Sequence, residues 1–282
     1  INTKMITLLG KPLGQSFAAR MQNAGYEAAG LNMLYFYTEV DKDHLGDVVN
    51  GLRYMNFAGF AVTKPNKVRV LRYLDELDPL CKKMGASNTV VKTPEGKLIG
   101  YNTDGVGFYT SLVEEGKINV EESTFFCFGA GGAGRAMCSV LAYHGAKKIY
   151  ITDFYEPCAE SLVMDINENF APVAELVHHG DYAKIAECNV VMNASGIGMG
   201  STIGQTPMPV EHIQPGQFYF DACYNPDKTQ FLLNAEEKGC QVLNGLGMSL
   251  YQGAAQIELW TGEKAPVEAM RKELMDILAE SK

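Results

Sequence analysis

Between residues 125 and 135 the chain reads Phe125-Phe126-Cys127-Phe128-Gly129-Ala130-Gly131-Gly132-Ala133-Gly134-Arg135, an apolar strand running into glycines spaced G-x-G-x-x-G. In such a turn Gly129 permits the tight reversal, Gly131 lets backbone approach a pyrophosphate, and Gly134 lets the next helix pack on the strand with its N-terminal amides facing the phosphates. The spacing alone also occurs in ordinary glycine-rich turns. Here the flanks fit: helix-compatible residues from Ala133 to Tyr143, a Gly145 stop, and a β-branched strand Lys148-Ile149-Tyr150-Ile151-Thr152 ending at Asp153. The run reads as a dinucleotide-binding turn.

Asp153, nineteen residues after Gly134, stands where an acid can accept hydrogen bonds from the adenosine ribose and repel a 2′-phosphate. Asp153-Phe154-Tyr155-Glu156-Pro157 carries a second acid and no cation. NAD is therefore expected over NADP. Asp153 could also cap the following helix, and the two roles are compatible.

Two polar clusters in the first hundred or so residues are further candidates. One is Gly59-Phe60-Ala61-Val62-Thr63-Lys64-Pro65-Asn66-Lys67; the other is Gly85-Ala86-Ser87-Asn88-Thr89 followed by Asn102-Thr103-Asp104-Gly105. Hydride transfer to or from a carbinol needs a group that handles the hydroxyl proton, and a lysine beside a carboxylate can do this without histidine. Lys67 and Asp104 have the right types. Their spacing does not show that they meet.

The elements that must position these groups alternate. Strands are expected near 4–9, 33–39 and 58–62, with helices near 17–29 and 43–53, a small βαβ arrangement. Asn102 to Gly107 reads as a turn opening a connecting helix, and the nucleotide domain as residues 107–243. Further strands at Asn189 to Gly196 and Gln217 to Ala222 would bring Asn193 to Gly196 and Ala222 to Tyr224 beside the cofactor crevice, since strand carboxyl ends face it in a doubly wound sheet. Asn244-Gly245-Leu246-Gly247-Met248 leads into a helix near 248–260, and Pro266 starts a terminal helix with Val267, Met270, Leu274 and Ile277 on one face.

At 282 residues two domains are expected, and 46% hydrophobic content fits a globular α/β protein. No apolar run approaches the roughly 20 residues that span a bilayer, so no membrane role is expected, and the first ten residues lack a secretory pattern. A cytoplasmic location follows as an expectation. The net charge of −9 disfavours nucleic acid. Seven scattered cysteines without C-x-x-C read as reduced and packed, and five histidines in surface-like segments, His178-His179 among them, give no metal site.

Taken together the chain resembles the shikimate/quinate dehydrogenases from about Gly10 to Gly262. The matching stretches are Gly10-Lys11-Pro12 with Gln15-Ser16, Gly59 to Lys67, Gly85 to Thr89, Asn102 to Gly107, Gly129 to Arg135, Asn193-Ala194-Ser195 with Gly198-Met199, Tyr224-Asn225-Pro226 with Thr229, and Gly245-Leu246-Gly247-Met248 with Gln252-Gly253-Ala254. The resemblance implies a substrate-binding domain of residues 1–106 completed by 244–282, with a Rossmann-like doubly wound parallel sheet inserted at 107–243. By position, Lys67 matches the family's catalytic lysine and Asp104 its partner, both bonding the hydroxyl that becomes a carbonyl. Ser16, Thr63, Asn88, Tyr224 and Gln252 match positions holding the remaining hydroxyls and the carboxylate. Gly129, Ala130, Gly131, Gly132, Ala133 and Gly134, with Asp153, Asn193, Ala222 and Gly245, match cofactor positions. The implied reaction is reversible hydride transfer between nicotinamide and a cyclic hydroxy acid, shikimate or quinate.

The departures bear on the substrate. Where the family has His-Ser-x-Ser-Pro this chain has Gln15-Ser16-Phe17-Ala18-Ala19, and the asparagine of Gly-x-Asn-Val-Thr is Ala61. A hydrogen bond to a charged group contributes roughly 1.5–3 kcal/mol, so the hydroxyl that Ala18 lacks predicts about 10- to 100-fold weaker carboxylate binding. The alternatives are a dehydrogenase for a different hydroxy acid, or a dinucleotide-binding sensor or scaffold whose substrate pocket has drifted. The sequence leaves the oligomeric state open, a homodimer included.

Overall fold

The computed structural model describes residues 2–13 and 17–280. The chain divides into two compact units, Ile1–Gly107 with Leu250–Lys282, and Phe108–Ser249.

The first unit holds β1 (Lys4–Gly10), α1 (Ala18–Ala28), β2 (Met33–Glu39), α2 (Leu45–Tyr54), β3 (Phe57–Val62), β4 (Glu76–Leu77), α3 (Pro79–Met84), β5 (Thr89–Lys92) and β6 (Leu98–Tyr101). The six strands form one sheet in the order β2-β1-β3-β5-β6-β4. β1 runs parallel to β2 and β3, β4 runs parallel to β6, and β5 is antiparallel to both β3 and β6. The expected strand–helix alternation therefore continues only to β3. Beyond it Thr89-Val90-Val91-Lys92 and Leu98-Ile99-Gly100-Tyr101 pair as a hairpin around Pro94-Glu95-Gly96, the pairing expected of a β-branched run followed by turn residues. The hairpin matters for chemistry, because it brings Asn88, just before β5, next to the residues that follow β6. Leu9, Val49, Leu52, Phe60, Val62 and Val90 pack under this sheet.

The remaining elements are α4 (Thr103–Glu114), β7 (Thr124–Phe128), α5 (Gly132–Tyr143), β8 (Lys148–Thr152), α6 (Glu156–Asn169), β9 (Ala174–Leu176), β10 (Val190–Asn193), β11 (Phe218–Asp221), α7 (Gln230–Glu237), β12 (Gln241–Asn244), α8 (Leu246–Thr261) and α9 (Val267–Glu280). The boundaries between units fall inside α4 and α8. α4 starts at Thr103, so the segment read as a turn is already helical at Asp104.

The second sheet has the order β12-β11-β10-β7-β8-β9 and is parallel throughout, the doubly wound arrangement with β7 and β10 at its switch point. Its central strands are buried along their length, Val190 to Asn193 and Phe218 to Asp221, which is why they read as unbroken apolar runs rather than alternating ones. Phe126, Phe128, Val191, Tyr219 and Phe231 form the core on one face.

All seven cysteines are free, and only Cys158 is exposed. Among the described residues there is no cluster of potential metal ligands and no helix long and apolar enough to cross a membrane.

Candidate active site

In the first unit Lys67 and Asp104, thirty-seven residues apart, meet. Lys67 follows β3 and the bend at Thr63–Asn66, where the Asn66 amide donates to the Thr63 carbonyl oxygen at 2.8 Å. Its Nζ donates to Asp104 Oδ2 at 2.7 Å, and the pair is partly buried, with the two side chains 32% and 20% exposed. Partial burial suits a group that must exchange a proton and admit a small molecule. Asp104 lies in the first turn of α4. Its other oxygen accepts from Asn88 Nδ2 at 3.0 Å, so both carboxylate oxygens are oriented.

Asn88 is 3% exposed and is itself fixed. Its Oδ1 accepts from the Thr103 amide at 2.7 Å and from Thr89 Oγ1 at 3.0 Å, while its Nδ2 also lies 3.4 Å from Gln252 Oε1 on α8. Thr63 is half-buried at the end of β3. Thus Thr63, Lys67, Asn88, Asp104 and Gln252 all belong to the first unit, and the last four form one hydrogen-bonded cluster. Ser16 lies outside the described residues. Ala61 is 1% exposed and pairs across the sheet with Thr89; Ala18 opens α1.

In the second unit the glycines of the turn have distinct surroundings. Gly129 has φ +101°, and a Cβ there would stand 2.6 Å from the Ser195 amide nitrogen. A Cβ on Gly134 would stand 1.9 Å from the Gly129 carbonyl oxygen. Nothing lies within 4 Å of a Cβ on Gly131 or Gly132, so fold packing does not require glycine there. These two open positions border the start of α5, whose first amides have no side-chain cap from Gly131.

Gly131 borders a cleft of about 290 Å³ whose lining includes Phe128, Gly129, Thr152, Asp153, Phe154, His179, Ala194 and Ser195, at the carboxyl ends of β7, β8 and β10. Thr152 Oγ1 in its wall is buried without a hydrogen-bond partner among the described residues. Open space against helix amides, beside an unsatisfied hydroxyl, fits a dinucleotide.

Asp153 is already engaged with the fold. Its Oδ2 accepts from the Ala130 amide at 2.7 Å and its Oδ1 from the Tyr155 amide at 2.8 Å, which ties the glycine turn to the end of β8. The N-cap position of the following helix falls at Tyr155, which makes no side-chain capping bond, and not at Asp153. One residue distant in sequence, His179, reaches this rim. His179 lines the cleft with its ring 5.4 Å from that of Phe154, and Glu156 accepts from the His179 amide at 3.2 Å while its carboxylate meets His178 Nδ1 at 3.2 Å. These hydrogen bonds, the His179 amide first, hold the Glu156 carboxyl below the usual range. Arg135, the cation of the turn, is paired with Asp165 on α6.

Asn193 is fully buried. Its Nδ2 donates to the Ile197 carbonyl oxygen and to Asp221 Oδ1, and its Oδ1 accepts from Ser195, so it shapes the loop whose Ala194 and Ser195 line the cleft. Burial pushes the Asp221 carboxyl up, against hydrogen bonds from Thr229, Cys223 and Asn193 that lower it. Ala222 and Gly245 abut: a Cβ on Gly245 would stand 2.1 Å from the Ala222 carbonyl oxygen. Tyr224, also in this unit, has its hydroxyl pushed up by burial.

The profile of the shikimate dehydrogenase substrate binding domain matches residues 8–90, and that of the shikimate 5′-dehydrogenase C-terminal domain matches residues 245–275. A Desulforamulus reducens protein named shikimate dehydrogenase (NADP(+)) is 40% identical over 276 residues, covering 96% of this chain and 94% of that one. The crystal structure of shikimate 5-dehydrogenase from Listeria monocytogenes in complex with shikimate and NAD superposes with a TM-score of 0.92 at 38% identity, covering 96% of both chains. The ligand-free 5-ketofructose reductase of a Gluconobacter species superposes at 0.89 with 32% identity, covering 98% of this chain and 99% of that one. With a Rossmann-like sheet, a second α/β unit and identity of this extent over nearly its whole length, the chain belongs to the shikimate/quinate dehydrogenase family of nicotinamide-dependent oxidoreductases.

Proposed function

We propose that this chain catalyses reversible NAD-linked hydride transfer at a ring carbinol of a shikimate- or quinate-type hydroxy acid. The observation that carries the reading is the contact of Lys67 Nζ with Asp104 Oδ2 at 2.7 Å, with Asn88 on the opposite carboxylate oxygen. A drifted binding protein has no need of a half-buried lysine–carboxylate pair oriented on both sides. A nicotinamide held by the second unit would supply or accept the hydride. Lys67 then gives or takes the proton of the reacting oxygen, and Asp104 holds the ammonium at that oxygen. Asn88, Gln252 and Thr63 bond the other hydroxyls, with Ser16 and Tyr224 completing the substrate contacts. Residues 1–107 with 250–282 act as the substrate unit, and 108–249 as the dinucleotide unit. Gly129 to Gly134 hold the pyrophosphate, with Asp153, Asn193, Ala222 and Gly245 at the positions around the cofactor.

The preference for NAD rests on two carboxylates, Asp153 and Glu156, at the end of the second strand of the nucleotide sheet, with no lysine or arginine lining the cleft. The Listeria monocytogenes structure holds NAD, while the shikimate dehydrogenases of Desulforamulus reducens and of Listeria monocytogenes are named for NADP(+). Because Asp153 also accepts from the Ala130 amide, Asp153→Ala would weaken both cofactors and is a poor probe. Phe154, 87% exposed, is a better one. Phe154→Arg is expected to raise kcat/KM for NADP relative to NAD by about 10- to 100-fold, the magnitude of one charge-assisted hydrogen bond of roughly 1.5–3 kcal/mol. An unchanged ratio in paired kinetics would place the discrimination elsewhere.

A second reading has its own motive. Ala18 and Ala61 remove two polar groups from family substrate positions, and one relative is named for a ketose, whose chemistry has no carboxylate. Purified protein assayed with NADH or NADPH against 3-dehydroshikimate, 3-dehydroquinate and 5-ketofructose separates the readings. Preference for either acid supports the first, and preference for the ketose replaces it. In the first case Ala18→Ser is expected to lower KM for the acid about 10-fold or more without raising kcat.

A further inference from the structure

Behind the Lys67–Asp104 pair lies a file of buried polar groups, Gln22, Gln256, Thr89 and Asn88, in which one hydrogen bond from each to the next can be donated toward the carboxylate. Gln22 on α1 is fully buried, and its Nε2 donates to the Gly253 carbonyl oxygen at 3.1 Å and to Gln256 Oε1 at 3.0 Å. Gln256 on α8 is 3% exposed, and its Nε2 donates to Thr89 Oγ1 at 2.9 Å. With that acceptor site filled, the single hydrogen of Thr89 can go to Asn88 Oδ1 at 3.0 Å, with Thr103 Oγ1 also at 3.0 Å and able to donate to Thr89 in turn, and Asn88 Nδ2 donates to Asp104 Oδ1. The two ends of an asparagine amide have nearly the same shape, so packing alone does not choose between them. Donors on Oδ1 do choose, because they force the NH₂ group toward Asp104. A flipped amide would set its oxygen against the Asp104 carboxylate. Gln22 spends both hydrogens of its amide on this file while its Oε1 is buried without a hydrogen-bond partner among the described residues, a cost that an apolar Leu or Met would avoid, and hydrogen bonds in a row polarise one another.

We propose that Gln256, supported by Gln22, is a positioning residue for the catalytic pair: through Thr89 it adds a second donor to the Thr103 amide on Asn88 Oδ1 and so tightens the orientation of Asn88, and Asn88 fixes Asp104 and hence Lys67. The kinetic part of this inference rests on the dehydrogenase reading, whereas the geometry of the pair can be probed without any substrate. The test compares Gln256→Met, Thr89→Val, their double variant and Thr89→Ser. Lys67 acylation by acetic anhydride at fixed pH is followed by peptide mass spectrometry against the other lysines, and kcat, KM and dinucleotide Kd are measured in parallel. Gln256→Met and Thr89→Val are each expected to raise the Lys67 acylation rate several-fold and to lower kcat about 10-fold with Kd unchanged, the loss expected for one hydrogen bond. The double variant is expected to be no worse than Thr89→Val, since the two act in series, and Thr89→Ser is expected to restore both readouts. Should Gln256→Met fail to fold, Gln256→Glu keeps the shape and the bond from Gln22 but presents an acceptor to Thr89. It is expected to show the same losses.

Wild-type labelling and kcat in folded Gln256→Met or Gln256→Glu would overturn the proposal, as would multiplicative losses in the double variant. Wild-type protein that is inactive with every substrate, yet shows the labelling response in the variants, would overturn the dehydrogenase reading and leave this coupling standing.

Discussion

Lys67→Ala is expected to lower turnover by about 100- to 10,000-fold, the usual range for a positioned general acid or base, while dinucleotide affinity stays within about a factor of two. Lys67 belongs to the first unit and the glycine turn to the second, so the substitution removes a proton carrier and alters no residue of the phosphate cradle. Alanine also leaves Asp104 without its counter-charge, but that carboxylate is partly exposed and still bonded by Asn88, so the fold should survive. Lys67→Arg sharpens the test. Arginine can keep the ion pair but does not release a proton in a protein, so it should retain substrate binding better than alanine and still turn over slowly. Steady-state kinetics with calorimetric dinucleotide binding reads both quantities. Equal losses of turnover and dinucleotide affinity in Lys67→Ala would mean that the lysine supports the structure rather than the reaction.

Gly134→Ala should have the second large effect, and on the opposite side of the same ledger of turnover and binding. A Cβ 1.9 Å from the Gly129 carbonyl oxygen meets backbone, which has no rotamer to escape into, so α5 must move away from the turn. Overpacking of this kind costs roughly 1–3 kcal/mol, which corresponds to a melting temperature lower by about 5 °C in a chain of this size, and displaced helix amides should weaken dinucleotide binding about 100-fold or more. Gly131→Ala is the control. Its Cβ enters open space, so the melting temperature should hold while the added methyl intrudes where a pyrophosphate would lie. If both variants melt and bind alike, the distinction between a packing glycine and a ligand-facing glycine is wrong.

Much of this was legible in the sequence wherever a local rule governs. The turn at Gly129 to Gly134 declares itself because strand, glycines and helix are contiguous, and the buried strands at Val190 and Phe218 show as apolar runs. The three-dimensional coupling of the site was less accessible. Lys67 and Asp104 offered only suitable types, and the resemblance to a family, not the spacing, joined them. The β5–β6 hairpin that delivers Asn88 has strands of only four residues each, too short for a pattern to stand out beside the polar residues that precede them. Gln22 and Gln256 sit 234 positions apart, each looking like an ordinary polar residue on a helix, and no periodicity links them. His179 reached the cleft rim for the same reason: the loop after β9 returns to β8 only once the sheet has formed.

The double engagement of Asp153 has an evolutionary reading. An acid that accepts amides from both the glycine turn and the chain after β8 cannot change without disturbing both, so it is a poor place for a lineage to alter its cofactor. Phe154 and His179 are exposed at the same rim. A descendant could exchange one coenzyme for the other through a single substitution at either position, never passing through an ancestor with a broken turn.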